Sequence, residues 1–167
     1  MSNEPTSAAE ARVRVTELVR AARICMLTTI ALDGRQVSRP MGLQEAEFDG
    51  DLWFFAHADS AKIRQIRVNP EVNVAFSDQG HNAWVSVSGT ATEGFDRARA
   101  ERLWNPLLKV WFPDGLDTPG LTLIKVHASS AEYWDSPSST MVNLLGFARA
   151  AVTGRPPEAG ENHEVTY

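Results

Sequence analysis

Apolar residues recur along this chain with two periods. Val15, Leu18, Val19 and Ala22 fall at helical spacing and predict a first helix that runs to about Arg23. Ser7 and Glu10 have capping-box spacing at its start. Residues 24–31 are branched and apolar and predict a strand. Asp33 and Gly34 signal a hairpin, with 36–43 as the returning strand. A turn over 48–51 leads into a buried strand over 52–56, which carries Trp53, Phe54 and Phe55. A helix then opens at Ser60 and stops before Pro70.

The second half is richer in short strands. Residues 72–77 predict one, and Gln79 and Gly80 turn the chain. Residues 83–92 alternate, with Val85 and Val87 facing away from Ser86 and Ser88. Asp96 is placed to cap a helix holding Ala100, Leu103 and Trp104, which Pro106 interrupts. Turn residues fill 111–115 and 117–120. Two separate strands are predicted over 121–127 and 131–134. Residues 141–151 predict a last helix, with Val142 and Leu145 on one face. From Thr153 onward Gly, Pro and Glu dominate and predict a mobile or extended tail. Six or seven strands joined mostly by tight turns predict a mainly β, antiparallel small barrel with flanking helices. The expected domain covers 8–151, with 1–7 and 152–167 as flexible termini.

Composition narrows the function. A chain of 167 residues suits one domain and buries about 70% of the surface its extended form would expose. The net charge of −5 argues against a nucleic-acid partner. No apolar run approaches a membrane span, and the first residues lack a signal-peptide pattern. Cys25, the single cysteine, sits in an apolar run and reads as a packed thiol. These features predict a cytoplasmic protein with no membrane partner. His57, His81, His127 and His163 share no ligand spacing, so no metal site is expected. Phosphate-loop, dinucleotide and nucleophile-elbow motifs do not occur.

The candidate chemistry starts at Ser60 and Lys62. A helix N-terminus is already positive, so a lysine in its first turn is an odd choice. A cap hydroxyl, free amides and an ammonium together suit an anion, phosphate best. The competing reading is a solvated surface lysine. Arg39 precedes Pro40 in a strand, which places that strand at an edge or bulge. Its guanidinium suits either a planar or anionic ligand or an exposed salt bridge. Five tryptophans are generous, and for each taken singly core filling is the commoner role.

Arg39-Pro40-Met41, the 52–56 strand, Ser60-Ala61-Lys62, Asn69-Pro70 and the run from Trp84 to Gly89 occur in the order found in the pyridoxamine-phosphate-oxidase-like flavoproteins, which this chain resembles over about 10–140. Trp111-Phe112-Pro113 and the run from Ala131 to Asp135 look like the branch called general stress protein 26. The resemblance implies an FMN-binding split β-barrel that dimerises, with flavin sites at the subunit interface. It implies that Arg39, Pro40 and Met41 run along the isoalloxazine ring, and that Phe54, Phe55 and Ala56 pass beside the flavin with backbone groups. Ser60 and Lys62 would hold the phosphate. Trp84 stands where the oxidase has a glutamine that reaches across from the partner subunit, and Trp111 or Trp134 would wall the cleft from that side.

There are departures. Ala61 stands where the oxidase has an arginine, Ala56 where it has a hydroxyl, and Gln44 where it has a lysine, with Arg64 or Arg67 as substitutes for the lost charge. The oxidase's C-terminal segment for pyridoxal phosphate is absent, and Ser136 begins a different sequence. The resemblance therefore implies a flavin-dependent oxidoreductase with an unidentified small-molecule redox partner, not a true pyridoxamine phosphate oxidase. FMN is the expected cofactor and FAD the alternative. Other readings are a flavin-storage protein without turnover, or a cleft holding F420 or haem, for which His57 is the nearest histidine.

Overall fold

The computed structural model describes residues 8–44, 50–80, 82–135 and 161–166. The expected cap at Ser7, the helix over 141–151 and Ser136 lie outside them. The described chain runs α1 (Ala8–Ala21), β1 (Ile24–Ile30), β2 (Gln36–Gly42), β3 (Asp51–His57), α2 (Ala61–Val68), β4 (Glu71–Asp78), β5 (Ala83–Gly94), α3 (Arg97–Leu103), β6 (Leu121–Asp135) and β7 (Glu161–Thr166). All strand pairings are antiparallel, in the order β2-β1-β4-β5-β6-β3, with β7 also on β6. The expected mainly β antiparallel fold is the one observed.

The sheet curls until its two edge strands, β2 and β3, approach each other at one end. There the amide of Gln44, just past β2, donates to the carbonyl of Trp53 at 3.5 Å. Elsewhere the two edges stand apart, so this is a split barrel. Alternation decides what fills it. Leu27, Phe54, Val74, Val87 and Val126 point inward and are buried. Val15 and Val19 of α1 cover one end of this core, and Ile63 and Ile66 of α2 enter it at the other. Phe55 and Leu123 point to the opposite face, where Ala100, Leu103, Leu108 and Phe112 form a second, smaller core.

Two sequence expectations are corrected in β6 and β7. The stretches over 121–127 and 131–134 are one strand with a bulge, because Ser88 pairs with Ser130 while Gly89 pairs with Ala128. Ser129 is the extra residue, and its hydroxyl donates to the Ser88 carbonyl at 3.0 Å. On either side of this bulge β6 has a different second neighbour, β3 up to His127 and β7 from Ser130. The polar Ser129-Ser130 pair looks like a strand end in sequence but sits in a bulge instead. Residues 161–166, expected in a tail, form β7; backbone pairing with β6 orders a stretch whose side chains carry no strand signal. Arg12 of α1 also donates to the Thr166 carbonyl at 2.7 Å.

Candidate functional site

The site lies where α2 begins, at the split between β2 and β3. Pro40 turns outward on β2, so its neighbours Arg39 and Met41 face inward opposite Leu27 and Cys25. Arg39 reaches under α2. Its Nη1 donates to the Leu27 carbonyl at 3.2 Å and to Thr29 Oγ1 at 2.6 Å, and its Nη2 donates to Gln65 Oε1 at 3.1 Å. Thr29 Oγ1 donates in turn to Gln65 Oε1 at 2.6 Å. These bonds use three of the five guanidinium N–H groups and leave two for a ligand. No carboxylate is among these partners, so Arg39 is not the exposed salt-bridge residue that one reading allowed. Burial lowers its pKa.

Lys62 is half-buried one turn from Gln65 on the same helix. Burial lowers the pKa of its ammonium first, and the nearby guanidinium of Arg39 lowers it further. Among the described residues it has no hydrogen-bond or ion-pair partner. Two close cations without a counter-ion are unfavourable unless a ligand supplies the negative charge.

Ser60 departs from expectation. It is the N-cap of α2, with φ −70° and ψ 153°, but its side chain makes no capping bond. The Ser60 carbonyl accepts from Ile63 N at 3.1 Å and Arg64 N at 3.3 Å, so the third amide of the helix is already satisfied. The Ser60 hydroxyl is left buried with no partner. A buried polar atom without a partner calls for an explanation, and a bound acceptor supplies one. The residues present therefore fit a phosphate: an orphaned hydroxyl, a helix N-terminus, and two cations with N–H groups to spare.

The proposed substitutes for lost charge are not free. Arg67 donates through Nε and Nη2 to Glu93 Oε1, at 2.9 and 2.7 Å, tying the end of α2 to β5. Arg64 donates to the Asp59 carbonyl. Gln44 is buried and turns back on the Gly42 carbonyl at 3.1 Å. Phe54 and Ala56 lie in the barrel core and Phe55 in the second core, so β3 offers the split only its backbone. That backbone has β6 on one side, with its opposite edge toward β2.

The tryptophans are not brought to this site within one chain. Trp84 is 44% exposed and pairs across the strands with Trp134, both on the outer face of the sheet, opposite to Arg39. Trp111, 66% exposed, follows the 3-10 turn over Pro106–Val110. His57 packs on Phe112 with ring centres 4.8 Å apart. Cys25 is buried, its thiol pushed up to about 12 by desolvation, which removes it as a nucleophile. Sequence reasoning missed Thr29 and Gln65. Gln65 stands three residues after Lys62, on the same helix face, and that spacing was the available signal. Nothing local marked Thr29, a β-branched residue in a strand.

An open antiparallel barrel with a cationic helix start at its split belongs to a known class of protein. The chain belongs to the family described as pyridoxamine 5'-phosphate oxidase like, whose sequence profile matches residues 10–158. It is similar to the general stress FMN/FAD binding protein of Xanthomonas citri, at 33% identity and a TM-score of 0.68, covering 78% of this chain and 92% of that one. It shares its fold with a Jannaschia sp. CCS1 structure named for general stress protein 26, at 23% identity and a TM-score of 0.76, over 95% of this chain and 99% of the other. Protein bli-3 of Neurospora crassa is 29% identical over 150 residues, spanning 84% of this chain and 72% of that protein.

Proposed function

We propose that the protein binds FMN non-covalently at the split and acts as a flavin-dependent oxidoreductase of low substrate specificity. The observation that carries the binding half is the uncompensated pair Arg39 and Lys62 beside the orphaned hydroxyl of Ser60. These three side chains hold the phosphate. Arg39, which the family resemblance sets along the ring, serves the phosphate end in this reading, and its closeness to Lys62 supports that. Pro40 and Met41 on β2, and the backbone of Phe54, Phe55 and Ala56 on β3, flank the ring. The flavin supplies the redox chemistry when bound, and the protein supplies orientation and electrostatics. The name of the Xanthomonas citri relative supports a flavin and leaves FMN and FAD as alternatives.

The same reading includes a homodimer. Ile24, Met26 and Trp84 are exposed apolar residues on the outer sheet face, and only a second copy brings the outer face of one chain to the split of another. Trp84 and Trp134 then wall the flavin across the interface, with Trp111 as a further candidate.

A second reading is a flavin store without turnover. It is favoured by the composition of β3 beside the ring, where Phe54, Phe55 and Ala56 carry no acid–base group.

Titration of the protein with FMN, FAD and riboflavin, followed by flavin fluorescence, tests the binding. The expected order is FMN tighter than riboflavin, and equal affinities would remove the phosphate site. Oxidation of reduced nicotinamide by the FMN-loaded protein separates the enzyme from the store.

A further inference from the structure

Gln65 is the hub of the polar network beneath the site, and its chemistry is specific. Arginine only donates, so the atom of Gln65 that meets Arg39 Nη2 at 3.1 Å is its oxygen. Thr29 Oγ1 accepts from Arg39 Nη1 at 2.6 Å, which directs its own proton to the same Gln65 oxygen, also at 2.6 Å. One neutral carbonyl thus closes a ring of three hydrogen bonds joining β1, β2 and α2.

A half-buried arginine is ordinarily held by a carboxylate, which cancels its charge. Here the guanidinium is held by an amide, a hydroxyl and a backbone carbonyl, all neutral. Arg39 is therefore positioned and still carries its full charge toward Lys62. Glutamate would fit the same place and accept the same two bonds, but it would remove one of the two positive charges the site presents.

We propose that Gln65 is a specificity-determining positioning residue: a neutral acceptor that fixes Arg39 without discharging it, so that the site stays doubly positive and selects a dianionic phosphate ester over its uncharged alcohol. This rests on the phosphate-site reading above and concerns a residue, Gln65, that does not itself touch the ligand.

The test compares Gln65→Glu and Gln65→Met with the unaltered full-length protein, each titrated with FMN and with riboflavin. Gln65→Glu keeps the hydrogen bonds and is expected to lower FMN affinity at least about tenfold, the effect of losing a charge-assisted contact, with riboflavin affinity within about twofold. Gln65→Met removes the acceptor but keeps the charges, and is expected to lose at least about threefold less FMN affinity than Gln65→Glu. It also keeps the proposal testable if the glutamate variant does not fold, since its FMN preference must then persist. Gln65→Glu binding FMN as tightly as the unaltered protein overturns the role of Gln65, as do equal losses for FMN and riboflavin, or equal FMN losses in both variants. An unaltered protein with no preference for FMN overturns the phosphate site itself, and the proposal with it. A retained preference in Gln65→Glu overturns only the proposal.

Discussion

Arg39 on β2 and Lys62 on α2 stand close enough for the guanidinium to depress the pKa of the ammonium, adding to the larger effect of burial. The residues are 23 positions apart in sequence and are joined by Gln65, which accepts from Arg39 one helical turn beyond Lys62. Half-buried cations gathered in this way destabilise a fold unless something negative answers them. The same helix carries Arg67, which is answered by Glu93 at 2.7 Å. The contrast within α2 is between a cation answered by a carboxylate and a pair that has none among the described residues.

If Lys62 binds phosphate, Lys62→Ala removes a charge-assisted hydrogen bond, worth on the order of 1.5–3 kcal/mol. FMN affinity is expected to fall about tenfold or more, with little change for riboflavin. Parallel fluorescence titrations decide the matter, and equal losses for the two ligands take Lys62 out of the phosphate site.

The pH dependence has a definite sign. If Lys62 holds the phosphate, binding needs a protonated Lys62 and a dianionic phosphate. Because the Lys62 pKa is lowered from 10.5, affinity is expected to decline before an ordinary lysine would titrate. On the acid side it declines as the phosphate takes up its second proton, near about pH 6. Apo stability moves the other way in the alkaline range. The unfolded chain holds the Lys62 proton more tightly than the folded one, so this contribution to stability rises with pH between the lowered value and 10.5. An FMN affinity that is flat up to pH 10.5 counts against the depressed lysine.

Gly89 tests the bulge that lets β6 serve two neighbours. A Cβ there would lie 2.1 Å from the His127 carbonyl oxygen and 2.9 Å from its carbon, both backbone atoms that cannot rotate away. Gly89→Ala is expected to cost about 1–3 kcal/mol or more, as overpacking does. That lowers Tm by roughly 2–4 °C per kcal/mol at this chain length. Thermal unfolding followed by circular dichroism measures it, and an unchanged Tm contradicts the close approach of β5 to β6.

The tryptophans separate by environment. Trp104 stands edge-on to Phe55, with centroids 5.5 Å apart and planes at 85°, so Trp104→Leu is expected to lower stability without altering flavin emission. Its aromatic pairing alone is worth about 0.5–1.5 kcal/mol. Trp84 is exposed, and Trp84→Leu is expected to leave monomer stability within about 0.5 kcal/mol. If the outer face meets a second copy's split, the same change weakens the dimer and raises bound-flavin emission. Light scattering and fluorescence on the two variants check both halves, and a Trp84→Leu protein with unaltered assembly and emission removes Trp84 from the cleft.

Local signals along the chain were sufficient for most of the elements. The hairpin at Asp33 and Gly34, the alternation of Val85 and Val87, the cap at Asp96 and the anomaly of a lysine in the first turn of α2 are short-range features. Each is set by backbone preference or by burial of one face, and each is legible in a few residues. The family resemblance rested on the same short runs. Tertiary structure decided what depends on partners far away in sequence. It made one strand of the two stretches flanking Ser129, because Gly89 on β5 accommodates the bulge. It ordered residues 161–166 by pairing them with β6, where side-chain pattern was silent. It left the Ser60 hydroxyl without the amide that local rules assigned to it, and it committed Arg67 to Glu93. It also built the Arg39, Thr29 and Gln65 network, in which a neutral acceptor 26 residues from Arg39 keeps a cation in place. Such a contact exists only once β1, β2 and α2 are packed together, since no local preference links residues so far apart in the chain.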